Sequence, residues 1–272
     1  VADGVDASFG DLFDGVGLPD MAPEPARPTA SRVILVGDRR QAIYGFRGAD
    51  HNSMDALQEA FQCTELPLSV CYRCPTAVVR EAQMIAGEET IESWAGALPG
   101  VVHDWGPQRG EALDALPDVS MVLCRMNAPL VPAALYLVRQ AKKVCIRGKN
   151  FAQSMVSKID TIAKKNKVEQ AQALVAPLMG WFSKEIQKRV EAGAERSIES
   201  LRDQRECLLY FIEGLEAEAG IRELKEIIQS LFRDDDAKCV VLSSIHRAKG
   251  LEADHVLFLG PEKVPHPMAK GL

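Results

Sequence analysis

The sequence predicts an α/β protein in which a parallel sheet is interrupted by an all-helical segment. Short continuous apolar runs, such as V-I-L-V at residues 33–36, end in polar loops, which is typical of strands covered on both faces. Such runs alternate with helical patterns through residues 66–150. Residues 151–233 then show helical spacing of apolar residues throughout.

The elements follow in chain order. Residues 1–32 are acidic and glycine-rich and end in prolines, so they predict an irregular lead-in with room for one short helix. Residues 33–65 predict a strand, a polar loop and a helix from Ser53 to Phe61. The remaining α/β elements are strands near 67–71, 119–124, 143–147, 239–244 and 254–259 and helices near 75–86 and 128–141.

Apolar residues within 151–233 recur at helical spacing in three groups, and Gly220 separates the last two. We expect these stripes to be packing surfaces rather than cofactor sites, and the exposed charges to form a solvated face. The groups are Leu174, Leu178, Trp181, Phe182, Ile186 and Val190; Ile198, Leu201, Leu208, Ile212 and Leu215; and Ile221, Leu224, Ile228 and Leu231.

Composition limits the possible classes of protein. With 272 residues, 47% of them hydrophobic, the chain can bury one large core or two smaller ones. Its 32 Lys and Arg against 38 Asp and Glu give a net charge of −6, so nucleic acid would have to be held locally and not by bulk charge. No apolar run approaches the ~20 residues that span a bilayer, and we expect a cytoplasmic protein without a membrane partner.

The seven cysteines are an odd number without a framework of paired spacings, which predicts reduced thiols. Cys71 and Cys74 have C-x-x-C spacing and Cys63 lies nearby, so zinc or an iron–sulfur cluster has to be considered. No second pair completes such a site, and small buried hydrophobes are the favoured interpretation.

The loop that follows the first apolar run carries a dense set of informative side chains. Ligands of open α/β sheets bind beyond the carboxyl ends of strands. Gln41 could sense a phosphate or water, Tyr44 and Phe46 offer flat faces to bases, and Arg47 can reach a phosphate. The alternative is an ordinary strand-to-helix loop with two aromatic rings in the core.

Taken whole, V-G-D-x-x-Q-x-I-Y-G-F-R-G-A at 36–49 resembles motif III of the UvrD/Rep-like superfamily 1 DNA helicases. The resemblance implies that Gln41 senses the γ-phosphate of ATP. It also implies that Tyr44, Phe46 and Arg47 contact single-stranded DNA.

A second segment, L-P-L-S-V-C-Y-R-C-P at 66–75, resembles motif IV of the same family. The resemblance places Tyr72 against the adenine and Arg73 on the γ-phosphate. A planar guanidinium that is always charged suits charge spread over phosphate oxygens, which makes Arg73 the best candidate for stabilising a transition state. Without the resemblance, the Tyr-Arg pair would indicate only a surface ion pair.

A third segment, V-V-L-S-S-I-H-R-A-K-G-L-E at 240–252, resembles motif V. The resemblance implies that Glu252 hydrogen-bonds the ribose, that Gly250 permits close backbone approach, and that Ser244 and His246 lie near the DNA backbone. Without its neighbours, His246 would be a satisfied loop histidine.

A weaker fourth segment, V-L-C-R-M-N at 122–127, resembles a strand that the family ends in R-x-N against the DNA backbone. Arg125 and Asn127 are therefore candidate DNA contacts. The competing interpretation is a strand-end arginine that caps neighbouring carbonyls.

The resemblance implies a RecA-like (P-loop NTPase-like) architecture. Residues 1–66 would be the irregular lead-in and part of a first RecA-like domain, 67–150 and 237–272 a second, and 151–236 a helical insertion. The phosphate loop G-x-x-x-x-G-K-[ST] and the D-E-x-Q acids are not found, and the chain stops before the last motif. ATP and Mg²⁺ would then be used only with the missing helicase segments or a companion chain, and we expect background turnover from this chain alone.

Three hypotheses about function follow. The first is part of an ATP-dependent DNA helicase or translocase that moves 3′ to 5′ on single-stranded DNA, as the family does. The second is a non-catalytic helicase-like module that binds DNA or a partner. The third is a nucleotide-binding scaffold unrelated to DNA.

The DNA assignment predicts the effect of Phe46→Ala in the complete helicase. Stacking on an aromatic ring contributes roughly 1–3 kcal/mol per base, so single-strand binding and unwinding should weaken on that scale while ATP affinity stays nearly intact. Arg73→Ala should instead abolish hydrolysis and spare DNA binding. Binding titrations and ATPase assays check both, and the prediction fails if Phe46→Ala merely unfolds the protein.

Overall fold

A computed structural model describes residues 33–38, 41, 52–87, 91–106, 108–234 and 238–264. The chain divides into two units, Val1–Thr64 and Glu65–Leu272.

In the first unit, helix α1 spans Ser53–Phe61, as predicted. The buried strand predicted at 33–36 is not formed in the structure: this run has no strand pairing, and Ile34 and Val36 are 84% and 78% exposed. A parallel strand needs a neighbour for its backbone groups and cover on both faces. The described residues of this unit contain no strand that could pair with this run or help to cover it.

The second unit begins with a small parallel β–α–β arrangement. Strand β1, Val70–Cys71, leads through a tight turn into helix α2, Thr76–Ala86, and strand β2, Glu92–Ser93, returns beside β1. The strand predicted near 67–71 is therefore present but short. The parallel pairing brings the carboxyl ends of β1 and β2 to the same edge.

The main sheet has four parallel strands in the order β4-β5-β3-β6. All four lie where the sequence predicted strands, and their registers align the carboxyl ends of β3, β5 and β6, since Cys124 pairs with both Ser244 and Leu259. The strands are β3 Ser120–Cys124, β4 Val144–Ile146, β5 Val240–Ser244 and β6 Val256–Leu259.

Helices α5 to α8 lie between β4 and β5, so the prediction of a helical segment at 151–233 is confirmed. The described helices of the second unit include none long and apolar enough to cross a membrane. After α2 they are α3 Arg109–Asp114, α4 Leu130–Arg139, α5 Lys149–Asn166, α6 Val175–Glu191, α7 Glu195–Glu213, α8 Ile221–Leu231 and α9 Ile245–Ala248, with short 3₁₀ turns at Gln172–Leu174 and Pro261–Lys263.

One continuous hydrophobic cluster joins the main sheet to the helical segment. Val122 and Leu242 contribute from the sheet, and Leu208 and Phe211 from α7, all fully buried. The predicted stripes account for most of the helical side of this core. Val190 is the exception, since it lies near the end of α6 and is more than half exposed.

Two adjacent residues of α7 test this packing. Phe211 is fully buried beside Phe232, with 6.2 Å between ring centroids, whereas Tyr210 is partly exposed. Phe211→Ala should lower the free energy of unfolding by about 3–5 kcal/mol, because it leaves a cavity in the shared core. Urea denaturation measures the change, and Tyr210→Ala is the control that should cost clearly less. Equal losses from the two substitutions would contradict this description of the core.

Candidate functional site

The structure brings together Arg73, just beyond β1, and Glu252, just beyond α9. Arg73 Nε lies 2.7 Å from Glu252 Oε1, and the two side chains are 70% and 61% exposed. Each was predicted from a different sequence segment to contact the nucleotide. An ion pair this exposed contributes only about 0–1 kcal/mol, so a competing anion can take the guanidinium at little cost.

Tyr72 projects from the same turn and is 74% exposed. Its ring lies beside Trp94, with 6.1 Å between centroids and 38° between planes. Sequence reasoning missed Trp94 because it belongs to none of the recognised segments. Its position after β2, as Tyr72 follows β1, is the signal that could have found it, since parallel strands bring such residues to one edge.

Gly250 precedes Glu252 by two residues and has a φ of 86°, in the left-handed region. No heavy atom lies within 4 Å of where a Cβ would be, so backbone conformation and not lack of space favours glycine here. The turn it forms delivers Glu252 to Arg73, as the N–H of Leu251 donates to the carbonyl of Ala248.

Cys71 and Cys74 flank Tyr72 and Arg73 and are half-buried. The backbone N–H of Cys74 donates to the Cys71 sulfur and lowers the pKa of that thiol, while burial raises the pKa of Cys74. The expectation of small buried cysteines is correct for four others: Cys124, Cys145, Cys207 and Cys239. The described part of the chain contains no group of three or more His, Cys, Asp or Glu side chains that could hold a metal ion.

The predicted DNA contacts Arg125 and Asn127 are engaged by α7. Arg125 donates through both terminal nitrogens to Glu199, at 2.5 and 3.0 Å, and its side chain is only 14% exposed. Asn127 donates its backbone N–H, at 3.1 Å, and its side-chain amide, at 2.7 Å, to Asp203 Oδ2. Their role in DNA binding stays a prediction, because in this structure they tie the end of β3 to a helix.

The partners on α7 were not found by sequence reasoning, although Glu199 and Asp203 are spaced i, i+4 and so share one helix face. Asp203 also accepts from the N–H of Ala128 at 2.7 Å. Burial raises the pKa of Asp203, and the three hydrogen bonds that it accepts oppose that rise.

The third segment places its two candidate DNA contacts differently. Ser244, at the end of β5, is buried, and its carbonyl accepts from the Ser243 hydroxyl at 3.1 Å. His246 lies in the first turn of α9 and is half-exposed. Of the two, only His246 presents its side chain towards the surface.

In the first unit, Gln41 is exposed and its Nε2 donates to Asp38 Oδ2 at 2.8 Å. Gly37 lies against the flexible side chain of Met54 of α1, whose sulfur would have to move to admit a Cβ. Tyr44, Phe46 and Arg47 lie outside the described residues.

Gly148 and Lys149 are the residues whose sequence is most similar to a phosphate loop. The carboxylate of Asp234, however, already occupies the N–H groups at the start of α5. Asp234 accepts from the N–H of Gly148 at 2.9 Å and from that of Lys149 at 3.2 Å. The first turn of α5 is therefore capped by the chain itself.

Comparison with known proteins gives one match. Residues 26–62 match the family model of the UvrD/REP helicase N-terminal domain, which covers the first recognised segment. The match supports a UvrD-like helicase relationship and a helicase-related function over that short segment. No curated protein and no solved structure matches the chain.

Replacing Asp203 tests the tie between β3 and α7. Asp203→Ala leaves buried donors of Asn127 and Ala128 without their acceptor, so the free energy of unfolding should fall by about 1–3 kcal/mol. A carboxyl whose folded pKa is raised contributes most stability at low pH and loses it as pH rises through that pKa, so the loss should be larger at low pH. Thermal melts across pH measure this, with the exposed Arg202→Ala as a control that should change stability by less than about 0.5 kcal/mol.

Proposed function

We propose that this chain is part of an ATP-dependent helicase or translocase that acts on single-stranded DNA, with 3′ to 5′ movement as in the family it resembles. The Arg73–Glu252 pair carries this proposal, because it joins two separate sequence segments that resemble nucleotide-contacting motifs. The family match at residues 26–62 supports it independently.

The exposed pair suggests how a nucleotide would be received. A polyphosphate offers Arg73 more negative charge than one carboxylate, and the guanidinium can bind it through two parallel hydrogen bonds. Glu252 would then be released to accept hydrogen bonds from ribose hydroxyls, which a carboxylate does well. The pair holds both side chains beside each other until the nucleotide binds.

Tyr72 and Trp94 provide the complementary apolar surface. Both side chains are exposed at the same edge of the β1–β2 pair as Arg73. Stacking of a base on an aromatic ring contributes roughly 1–3 kcal/mol and tolerates any base. We therefore propose that Tyr72 contacts the adenine, and that Trp94 fixes the orientation of the tyrosine ring.

Mg²⁺ does not fit the described side chains. They contain no group of three or more His, Cys, Asp or Glu side chains that could hold it, and the start of α5 is closed by Asp234. No catalytic step is therefore assigned to a metal held by these residues. Gln41 is proposed as the γ-phosphate sensor on sequence resemblance alone.

The contacts with single-stranded DNA are proposed for Tyr44, Phe46 and Arg47, with His246 as a further contact from the second unit. Arg125 and Asn127 could join them only by releasing Glu199 and Asp203, which makes them the weaker candidates.

Nucleotide binding by the 272-residue chain tests the proposal. Arg73→Ala should weaken ATP binding by about ten- to a hundredfold, since a hydrogen bond to a charged group contributes about 1.5–3 kcal/mol. It should leave the weaker binding of adenosine unchanged, because adenosine has no phosphate for Arg73 to contact. Calorimetric titration with each ligand measures the difference.

Arg80→Ala is the matched control, since Arg80 is exposed on α2 in the same unit. If both arginine substitutions weakened ATP binding equally, Arg73 would contribute only to the general surface charge and the proposal would be contradicted. For DNA, Phe61→Ala is the control for Phe46→Ala, because Phe61 is an exposed aromatic residue of α1 in the same unit.

A non-catalytic module that binds a partner protein is the second candidate, and one surface favours it. Leu66, Leu68 and Val70 occupy alternate positions before and within β1 and are all exposed. Contiguous exposed apolar side chains mark interaction surfaces more often than isolated ones do. ATP binding that does not respond to Arg73→Ala would favour this candidate over the first.

A further inference from the structure

We propose that Cys71 and Cys74 form a reversible dithiol–disulfide pair, which makes the turn between β1 and α2 a site of thiol modification. The proposal concerns the chemistry of these two side chains and does not depend on nucleotide or DNA binding.

The placement of the two thiols is the first argument. Cys71 is the last residue of β1, and Cys74 precedes Pro75, the residue that caps α2. A C-x-x-C sequence at a strand-to-helix turn of a β–α–β unit is the arrangement of thiol–disulfide exchange sites. Only two residues separate the two cysteines along this turn.

Accessibility is the second argument. Both thiols are half-buried, and Tyr72 and Arg73 between them are exposed, so the turn lies at the protein surface. A small-molecule disulfide can therefore reach this turn from solvent.

The two thiols differ in the way that such a pair requires. Backbone N–H donation from Cys74 lowers the pKa of Cys71, with further contributions from the N–H of Arg73 and from the Cys74 thiol. Burial raises the pKa of Cys74, and the charge of a Cys71 thiolate raises it further. The opposite directions assign Cys71 as the attacking thiol and Cys74 as the resolving thiol.

A low-molecular-weight disulfide can serve as the oxidant that converts the two thiols into a disulfide. The Cys71 thiolate attacks one sulfur of oxidised glutathione, forming a mixed disulfide and releasing one glutathione thiolate. Cys74 then loses its proton and attacks the Cys71 sulfur, which closes the intrachain disulfide and releases the second glutathione. The protein loses two electrons and two protons, and one oxidised glutathione becomes two reduced molecules.

Another close pair shows why proximity is not sufficient. The sulfurs of Cys145 and Cys239 lie 3.3 Å apart between β4 and the residue before β5, but both are buried in the core. An external disulfide cannot reach them without unfolding. Cys63 is half-buried like Cys71, but it belongs to the first unit and has no cysteine three positions away.

Redox titration of the whole chain tests the proposal. The reduced protein is equilibrated in buffers with different ratios of reduced to oxidised glutathione. Each sample is quenched with acid and alkylated, and the masses of its peptides are measured by mass spectrometry. As the oxidised fraction rises, Cys71 and Cys74 should both lose alkylation completely, and their peptide should lack two hydrogens. The Cys63→Ser control should behave in the same way.

Single substitutions separate the two roles. Cys74→Ser should trap Cys71 as a stable mixed disulfide with glutathione, because the resolving thiol is gone. Cys71→Ser should abolish the intrachain disulfide and leave Cys74 open to alkylation. The proposal is overturned if the wild-type thiols stay alkylatable at every ratio, if Cys71 pairs with Cys63, or if Cys74→Ser traps no mixed disulfide. Circular dichroism of each variant confirms that the comparison is made on folded protein.

Discussion

Strand β5 is hydrogen-bonded on both sides, to β3 and to β4, although the whole helical segment separates it from both in the chain. Most of the second unit depends on this pairing. The long helical segment between β4 and β5 adds relatively little to the entropy cost of closing the loop. The chain must still bring β5 back into the correct register with both neighbouring strands. Helices α5 to α8 make that return possible because they share one core with the sheet. Phe232 completes it, pairing with Ile146 beside β4 and packing on Phe151 and Phe211.

The candidate site differs in character from this core. Where β5 is fixed by backbone pairing and buried side chains, the turn after β1 is held by an exposed ion pair and a tilted aromatic contact. Interactions of this strength are easily exchanged for a ligand, and they leave the carboxyl ends of β1 and β2 accessible. The Arg125–Glu199 and Asn127–Asp203 contacts belong with the core, because they are sheltered and carboxylates of α7 accept from both side chains.

Sequence reasoning succeeded where local pattern decides the structure. The helix at Ser53–Phe61 and the four main strands could be predicted because periodicity and turn residues are encoded over a few positions. It failed at 33–36, because burial of an apolar run depends on neighbours that the run itself does not specify. Arg125 and Asn127 show the same limit at the site, since their carboxylate partners lie more than 70 positions away on α7. Trp94 could be recognised only once β2 was paired with β1.

The contact between Gly148 and Arg247 has a consequence for how the sequence can vary. The guanidinium of Arg247 donates to the carbonyl of Arg147 at 2.9 Å and lies over the ring of Phe151. It occupies the space that any Cβ at position 148 would need, and the φ of 136° there already disfavours other residues. A side chain at position 148 would therefore have to displace the Arg247 guanidinium from the carbonyl of Arg147, so the bridge between the ends of β4 and β5 depends on a position that carries no side chain.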